Sequence, residues 1–414
     1  MYIKRKLEAT ILEQLESREI LAIVGPRQAG KTTMLKQIQA SLNNAVFLTF
    51  EDVEEMELFE HDIKSFAKKY SEYKYIFIDE FQYSKKGGKN LKFLYDLYPE
   101  MKIIISGSSA IDLTIRAIKY LVGRIFVFNL YQLDFDEFIA FKDESLSKKY
   151  LELKNNFNPL FGSVDNCDIS KDIDSRFTGL LEEFIIWGGY PRVILANSVK
   201  NKELVLKNIY NTYFLRDIKD ILGLIDDFKL SKLIKALAIQ IGQLIEYNEL
   251  RTLSDYDYLS LKKYINILEK TFICQMIRPF FKNKRTEIVK NPKIYFFDLG
   301  LRNYIINNFN SLDGRVDKGF LYENFIFNQL NKQEVAVNYW RTKSKAEVDF
   351  VVDRNNKLVP IECKSVLNGA VASKSFCAFL EEYKPEFGLV LNSSVVSKKE
   401  VAGAAIYFLP HYLI

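Results

Sequence analysis

The sequence predicts an α/β chain built in sections: a parallel-sheet domain, a helical connector, a small helix-and-strand module and a second α/β domain. Three observations carry this reading. Residues 1–130 alternate short apolar runs with helical patterns. A turn bounded by Gly25 and Gly30 joins one apolar run to a helix. Beyond about residue 291 the chain returns to strand patterns, with a hairpin signal between Lys345 and Lys364.

In the first section the strands are expected at 19–24, 46–50, 75–79, 102–106 and 125–130. After Lys31 a helix is expected, because Met34, Leu35, Ile38 and Leu42 share one face. Residues 131–225 read as a helical lid or connector, with the polar stretch near 143–176 expected to be an exposed insertion. Residues 226–290 begin with a helical stripe of Leu230, Leu233, Ile234, Leu237, Ile241 and Leu244. The last boundary falls near Asn291–Pro292 and opens the final section, 291–414.

Composition bounds the chemistry. A chain of 414 residues, 48% apolar and 27% charged, is long enough for several cores, which excludes a disordered or fibrous protein. Four separated cysteines without a C-x-x-C, and only His61 and His411, exclude a structural zinc site and a disulfide framework. The amino terminus lacks the apolar stretch of a signal peptide, and no window reaches the roughly 18 apolar residues of a membrane span. A soluble cytoplasmic protein without a membrane partner is expected.

The strongest motif is Gly25-Pro26-Arg27-Gln28-Ala29-Gly30-Lys31-Thr32, a complete G-x-x-x-x-G-K-[ST] between strand and helix, followed by Thr33. Backbone amides of such a loop and the helix N-terminus meet phosphate oxygens. Lys31 is expected on the β- and γ-phosphates and Thr32 on Mg²⁺. Asp79 and Glu80 end a buried strand; Asp79 is the expected second metal-facing acid, and Glu80 the base that polarises the attacking water. No N-K-x-D box is present, which favours ATP over GTP.

These residues resemble the AAA-superfamily P-loop ATPases, in the prokaryotic group that also carries a winged helix and a C-terminal nuclease-like domain. The resemblance covers most of the chain and implies further roles. The strand KIIISGSSA resembles the sensor strand, implying that Ser108 or Ser109 reads the γ-phosphate. Leu121-Val-Gly123-Arg124 resembles the family's L-x-G-R and makes Arg124 the arginine-finger or phosphate-contact candidate. Trp187-Gly188-Gly189-Tyr190-Pro191-Arg192 resembles the GG-x-P turn of the lid, where Arg192 would act as a second sensor. An arginine supplied by a neighbouring subunit implies a homo-oligomer.

In the third section, the segment Leu259–Lys270 turns Leu261, Tyr264, Ile265 and Leu268 inward and Ser260, Lys262, Lys263 and Asn266 outward, as in a helix-turn-helix. The following TFICQMIRPFF and TEIVK read as two strands around a basic KNKR turn, a wing. From Ser260 to Lys293 nine basic residues (Lys262, Lys263, Lys270, Arg278, Lys282, Lys284, Arg285, Lys290, Lys293) face Glu269 and Glu287, a balance of +7 against +5 for the whole chain. This 260–293 segment is the expected contact to double-stranded DNA.

In the last section, Asn355-Asn356 suits the centre of a two-residue hairpin. That loop sets Asp349 opposite Glu362, about 5 Å apart, with Lys364 on the same face. Pro360 weakens the pairing locally. Two such carboxylates with a lysine outline metal-dependent phosphodiester chemistry. Asp349 with Glu362-Cys363-Lys364 resembles the D…E-x-K core of restriction-endonuclease-like folds; Glu323 matches the family's helix acid, and Trp340-Arg341-Thr342 its WR segment. The resemblance implies metal ligands at Glu323, Asp349 and Glu362 and catalytic roles for Glu362 and Lys364, or else a domain that keeps the fold for binding.

The functional expectation is a Mg²⁺- and ATP-dependent ATPase acting on DNA. The rival is a nucleotide-operated signalling or assembly switch whose C-terminal modules only bind partners.

Overall fold

A computed structural model describes residues 1–108, 118–158, 163–164, 169–215, 218, 222–223, 228–281, 287, 290–354 and 357–414. The chain divides into two compact units, residues 1–133 with 270–272 and residues 134–269 with 273–414. The expected connector, helix-and-strand module and last α/β section therefore share the second unit.

The first unit runs α1 (Lys6–Glu13), β1 (Ile20–Val24), α2 (Lys31–Ala40), β2 (Ala45–Thr49), α3 (Val53–His61), α4 (Ile63–Lys69), β3 (Tyr75–Asp79), α5 (Gly87–Leu97), β4 (Lys102–Gly107) and β5 (Ile125–Asn129). All five strands are parallel, in the order β2-β3-β4-β1-β5. Parallel strands covered on both faces are continuous apolar runs, and β1, β3 and β4 are buried along their whole length. On α2, Met34, Leu35 and Ile38 pack against Leu21, Ile23, Phe77 and Ile104. Each strand falls within a residue of its expected ends. Because β4 lies between β1 and β3, its C-terminal end stands between the glycine loop and the Asp79-Glu80 pair.

The second unit opens with α6 (Phe135–Lys142), α7 (Glu144–Asn156), α8 (Lys171–Trp187), α9 (Pro191–Ile194) and α10 (Val199–Ile209). The stretch expected as an exposed insertion is helical over α7. Its Leu146, Tyr150 and Leu153 are buried, and the Tyr150 hydroxyl donates to the Tyr412 carbonyl at 2.6 Å. Spaced three and four residues apart, these side chains form an apolar stripe inside a polar segment, which average composition conceals.

Next come α11 (Phe228–Ile239), α12 (Tyr247–Ser254), α13 (Tyr258–Lys270) and an antiparallel ladder of β6 (Cys274–Ile277) with β7 (Lys293–Phe296). On α13, Leu261, Ile265 and Leu268 are buried while Lys262, Lys263 and Asn266 are exposed. Thr286, Ile288 and Val289 of the expected TEIVK strand lie outside the described residues, and the strand paired with β6 is KIYF. It lies beyond the boundary expected at Asn291–Pro292, yet its partner β6 lies before that boundary.

The chain ends with α14 (Leu299–Ile305), α15 (Lys318–Lys332), β8 (Val337–Arg341), β9 (Glu347–Arg354), β10 (Lys357–Cys363), α16 (Lys374–Tyr383), β11 (Phe387–Asn392), β12 (Ser397–Val401) and β13 (Ala404–Pro410). The last six strands form one sheet in the order β8-β9-β10-β11-β13-β12, parallel at β10/β11 and β11/β13 and antiparallel elsewhere. In the hairpin Val351 pairs with Pro360 and Phe350 with Ile361, the register a two-residue loop requires; Asn355 and Asn356 themselves lie outside the described residues. No helix among the described residues is long and apolar enough to cross a membrane.

Candidate functional site

The glycine loop is built by close approach. A Cβ on Gly25 would stand 2.0 Å from the Leu130 carbonyl oxygen, so only glycine lets the chain leave β1 beside β5. Gly30 caps α2 at φ 96°, a left-handed conformation that turns the loop into the helix. Gln28 also has a positive φ of 62°, Ala29 is buried and Thr33 is exposed. Arg5, itself buried, donates to the Ala29 carbonyl at 2.7 Å and the Tyr131 carbonyl at 2.8 Å, fixing the loop from below. Sequence reasoning missed Arg5, whose partners lie 24 and 126 residues away.

The Lys31 ammonium donates to the carbonyls of Gly25 at 2.8 Å and Pro26 at 2.9 Å. Burial pushes it down to about 8, opposed by Glu80 and Asp79. The Thr32 hydroxyl donates to Asp79 Oδ2 at 2.6 Å, and Ser106 donates to Asp79 Oδ1. Glu80 stands in the left-handed region at φ 52°, sparsely populated for a non-glycine residue and a form of strain common at functional sites. Burial raises its carboxyl above the usual carboxylate value, with Asp79 adding to that and the Gln82 hydrogen bond opposing it. Gln82 donates to Glu80 and, at 3.2 Å, to the Ser108 hydroxyl, tying the acid pair to the end of β4. Ser106 and Gln82 were missed; a polar residue two positions past an Asp-Glu strand end was the available signal. Ser109 lies outside the described residues.

Arg124 is not brought to this site. It precedes β5 beside the start of β1, where the Ile20 amide donates to its carbonyl at 2.9 Å, and its side chain pairs with Asp96 at 3.2 Å. In a parallel sheet that is the end opposite the loop, one strand length of roughly 16 Å away.

In the second unit Arg192 is exposed at the start of α9. The Gly188-Gly189 turn before it has a packing reason. Asp298 accepts from the Gly189 amide at 2.7 Å and the Leu301 amide at 2.8 Å, and a Cβ on Gly188 would stand 2.3 Å from its Oδ1. Burial raises Asp298 to about 6. Asn303 donates to the Ile185 and Ile186 carbonyls, both at 3.0 Å, capping the same helix end.

Of the expected basic face, Lys262, Lys263, Lys270, Arg278 and Lys290 are exposed, and Lys282, Lys284 and Arg285 lie outside the described residues. Lys293 is the exception. It is 2% exposed and pairs with Glu323 at 2.9 Å and Glu347 at 2.7 Å. Charge counting treats every lysine as solvated; this one is an interior group. A cleft of about 650 Å³ is lined in part by Phe281, Lys290, Tyr339, Arg341 and Lys343.

The C-terminal acids are drawn together, but each is already engaged. Glu323 Oε1 accepts from Lys293 and from the Tyr295 hydroxyl at 2.5 Å. Asp349 Oδ2 accepts from the Cys363 amide at 2.8 Å, and Glu362 Oε1 pairs with Lys364 at 2.9 Å. Glu362 Oε2 is buried without a hydrogen-bond partner, whereas Mg²⁺ or Ca²⁺ takes about six oxygens or more. Among the described residues no three His, Cys, Asp or Glu side chains are arranged to hold a metal ion. The expected ligand set Glu323, Asp349 and Glu362 thus does not fit a divalent cation. Burial raises Asp349 to about 7, with Glu323 adding to it and Lys293 opposing it. On Lys293 the burial penalty is outweighed by Glu323, Asp349 and Glu347, which raise the ammonium above the ordinary lysine value.

The parallel sheet, the glycine loop and the Lys31–Thr32–Asp79 constellation define a P-loop nucleotide-binding domain. Residues 17–139 match the AAA domain family, and this part of the chain is an AAA-type P-loop ATPase domain. Residues 178–312 and 318–410 match two domains of unknown function (DUF8612 and DUF4143). The chain is 25% identical to an uncharacterized protein of Haemophilus influenzae over 364 residues, 83% of this chain and 82% of that one. It is also 25% identical to the uncharacterized protein MJ1544 of Methanocaldococcus jannaschii over 383 residues, 86% and 76% of the two chains. Among solved structures, the Walker-type ATPase of Pyrococcus abyssi aligns at 14% identity and a TM-score of 0.44, covering 74% of this chain and 96% of that one.

Proposed function

We propose that the protein binds and hydrolyses ATP with Mg²⁺ and couples this to DNA held by its second unit. The observation that carries the proposal is the 2.6 Å hydrogen bond from Thr32 to Asp79, which brings the loop hydroxyl and the strand-end acid to one point. Oxygen donors with neutral partners suit Mg²⁺, which when bound neutralises charge on the β- and γ-phosphates. The loop amides and Lys31 grip the phosphates, and Ser106 orients Asp79. Glu80, kept by burial and by Gln82 at the end of β3, accepts a proton from the attacking water. Ser108, hydrogen-bonded to the same Gln82, links the γ-phosphate side to Glu80.

The exposed Lys262 and Lys263 of α13 and the two-stranded ladder beside it support a winged-helix reading with phosphate contacts. The basic cleft near Lys290, Arg341 and Lys343 extends that surface. Arg124, on the far end of its own sheet, reaches nucleotide only in a neighbouring copy, and in this reading the working state is an oligomer.

The test is turnover and nucleotide binding on two variants. Lys31→Ala loses binding and turnover together. Glu80→Gln keeps binding and loses roughly 10²–10⁴-fold in turnover, the usual contribution of a general base. Turnover equal to the parent in both variants contradicts the assignment. A second reading, a slow nucleotide switch whose C-terminal modules only bind, is favoured by the ion pairs of Glu323 with Lys293 and of Glu362 with Lys364. DNA-stimulated turnover separates the two, since a switch hydrolyses slowly with or without DNA.

A further inference from the structure

We infer that Lys293 is the resident cation beside the C-terminal acid cluster: its ammonium is bonded to Glu323, one of the three acids the nuclease-like resemblance assigns to a divalent ion, and to Glu347, so this module holds Glu323 in a buried ion pair and does not cut phosphodiester bonds.

The geometry begins with the strand. Residues two apart on a strand face the same way, and Lys293 and Tyr295 of β7 both bond Glu323 of α15. Lys293 also reaches Glu347 on β9, which pairs on its other oxygen with Arg341 at 2.8 Å. The strand cannot slide. Asn324, next to Glu323, donates to the Phe296 carbonyl at 2.7 Å and accepts from the Phe296 amide at 2.8 Å. The Gly242 amide donates to the Ile294 carbonyl at 2.8 Å, and a Cβ on Gly242 would come within 2.7 Å of Phe320 and 3.3 Å of Glu323. The backbone therefore fixes the ammonium, and a glycine makes the room.

Spacing and charge agree. The oxygens lie 2.7 and 2.9 Å from Nζ, ammonium distances, whereas Mg²⁺ needs oxygens at about 2.0–2.1 Å. Glu323 and Glu347, the latter shared with Arg341, bring negative charge to the ammonium, and a buried charge persists only when paired. Lys293 neutralises them from within. A divalent ion at the same place would meet a positive charge held by two carboxylates and by the backbone around it.

The inference is independent of the ATPase reading and is tested on the full chain without nucleotide. Mn²⁺ is titrated by calorimetry into the parent, Asp349→Asn, Lys293→Met and Lys293→Met/Asp349→Asn, and thermal shifts are recorded with and without Mn²⁺. The parent and Asp349→Asn are expected to give identical isotherms. Lys293→Met is expected to gain Mn²⁺ affinity at least tenfold and to be stabilised by the ion, and the double variant to lose that gain. Lys293→Arg keeps the parent's behaviour. Mn²⁺ binding by the parent that Asp349→Asn removes would overturn the inference, as would Mn²⁺-dependent cleavage of linear, forked or junction DNA that Asp349→Asn abolishes. A folded Lys293→Met that gains nothing would overturn it too. If Lys293→Met does not fold, the parent and Asp349→Asn comparison decides alone.

Discussion

The two acid sites of the molecule use the same ingredients and differ in what the acids hold. At the end of β3, Asp79 is bonded by the hydroxyls of Thr32 and Ser106, and the neighbouring lysine rests on backbone carbonyls. In the second unit Glu323, Glu347 and Glu362 are bonded by the ammonium groups of Lys293 and Lys364. A hydroxyl is neutral and yields its carboxylate to an incoming cation at small cost. An ammonium has already cancelled the charge. Acids and a lysine in sequence thus say little until their pairing is known: the first arrangement leaves its acid to neutral hydroxyls, the second pairs its acids with ammonium groups.

The contrast can be broken most forcefully at Lys293. Lys293→Met leaves buried carboxylates without their cation, and loss of one partner of a buried ion pair costs about 3–5 kcal/mol. Denaturant unfolding of the second unit reads this loss. A change near zero would mean that water already reaches the cluster and would erase the distinction between the sites.

Asp298 sharpens the same point with a smaller effect, because it is a buried acid whose partners are only amides. Burial raises it to about 6, so between pH about 4 and 6 the native state keeps a proton that the unfolded chain has released. Its contribution therefore makes stability rise as pH falls through that window. Asp298→Asn leaves the Gly189 or Leu301 amide facing a donor, costs about 1–3 kcal/mol and removes this part of the pH slope. Stability measured at pH 4.5 and 7 in both proteins checks it; an unchanged slope assigns the titration elsewhere.

The smallest effect is on the exposed face. Lys262→Ala with Lys263→Ala is expected to weaken duplex DNA binding and to lower the salt-dependence slope by about 2, with unfolding unchanged. Equal slopes would remove α13 from any phosphate contact.

The sequence exposed what is local. The five strands of the first unit and the glycine loop are set by apolar runs and by eight consecutive residues, and the β9–β10 register follows from a two-residue loop. What was hidden depends on distant partners. Lys293 looked like one more wing lysine because Glu323 lies 30 residues on. The Gly188-Gly189 turn shows no packing partner in sequence because Asp298, which requires glycine at 188, is 109 residues from Gly189. Arg124 was placed by motif resemblance, and only the parallel strand order shows that it sits at the other end of the sheet.

The central claim is that one acid site of this chain takes a metal and the other takes a lysine. Counting Mn²⁺ bound per chain by electron paramagnetic resonance, with a non-hydrolysable ATP analogue present, tests it directly. The account predicts one ion, dependent on the nucleotide and lost in Asp79→Asn. No bound ion, or a second ion lost in Asp349→Asn, would contradict it.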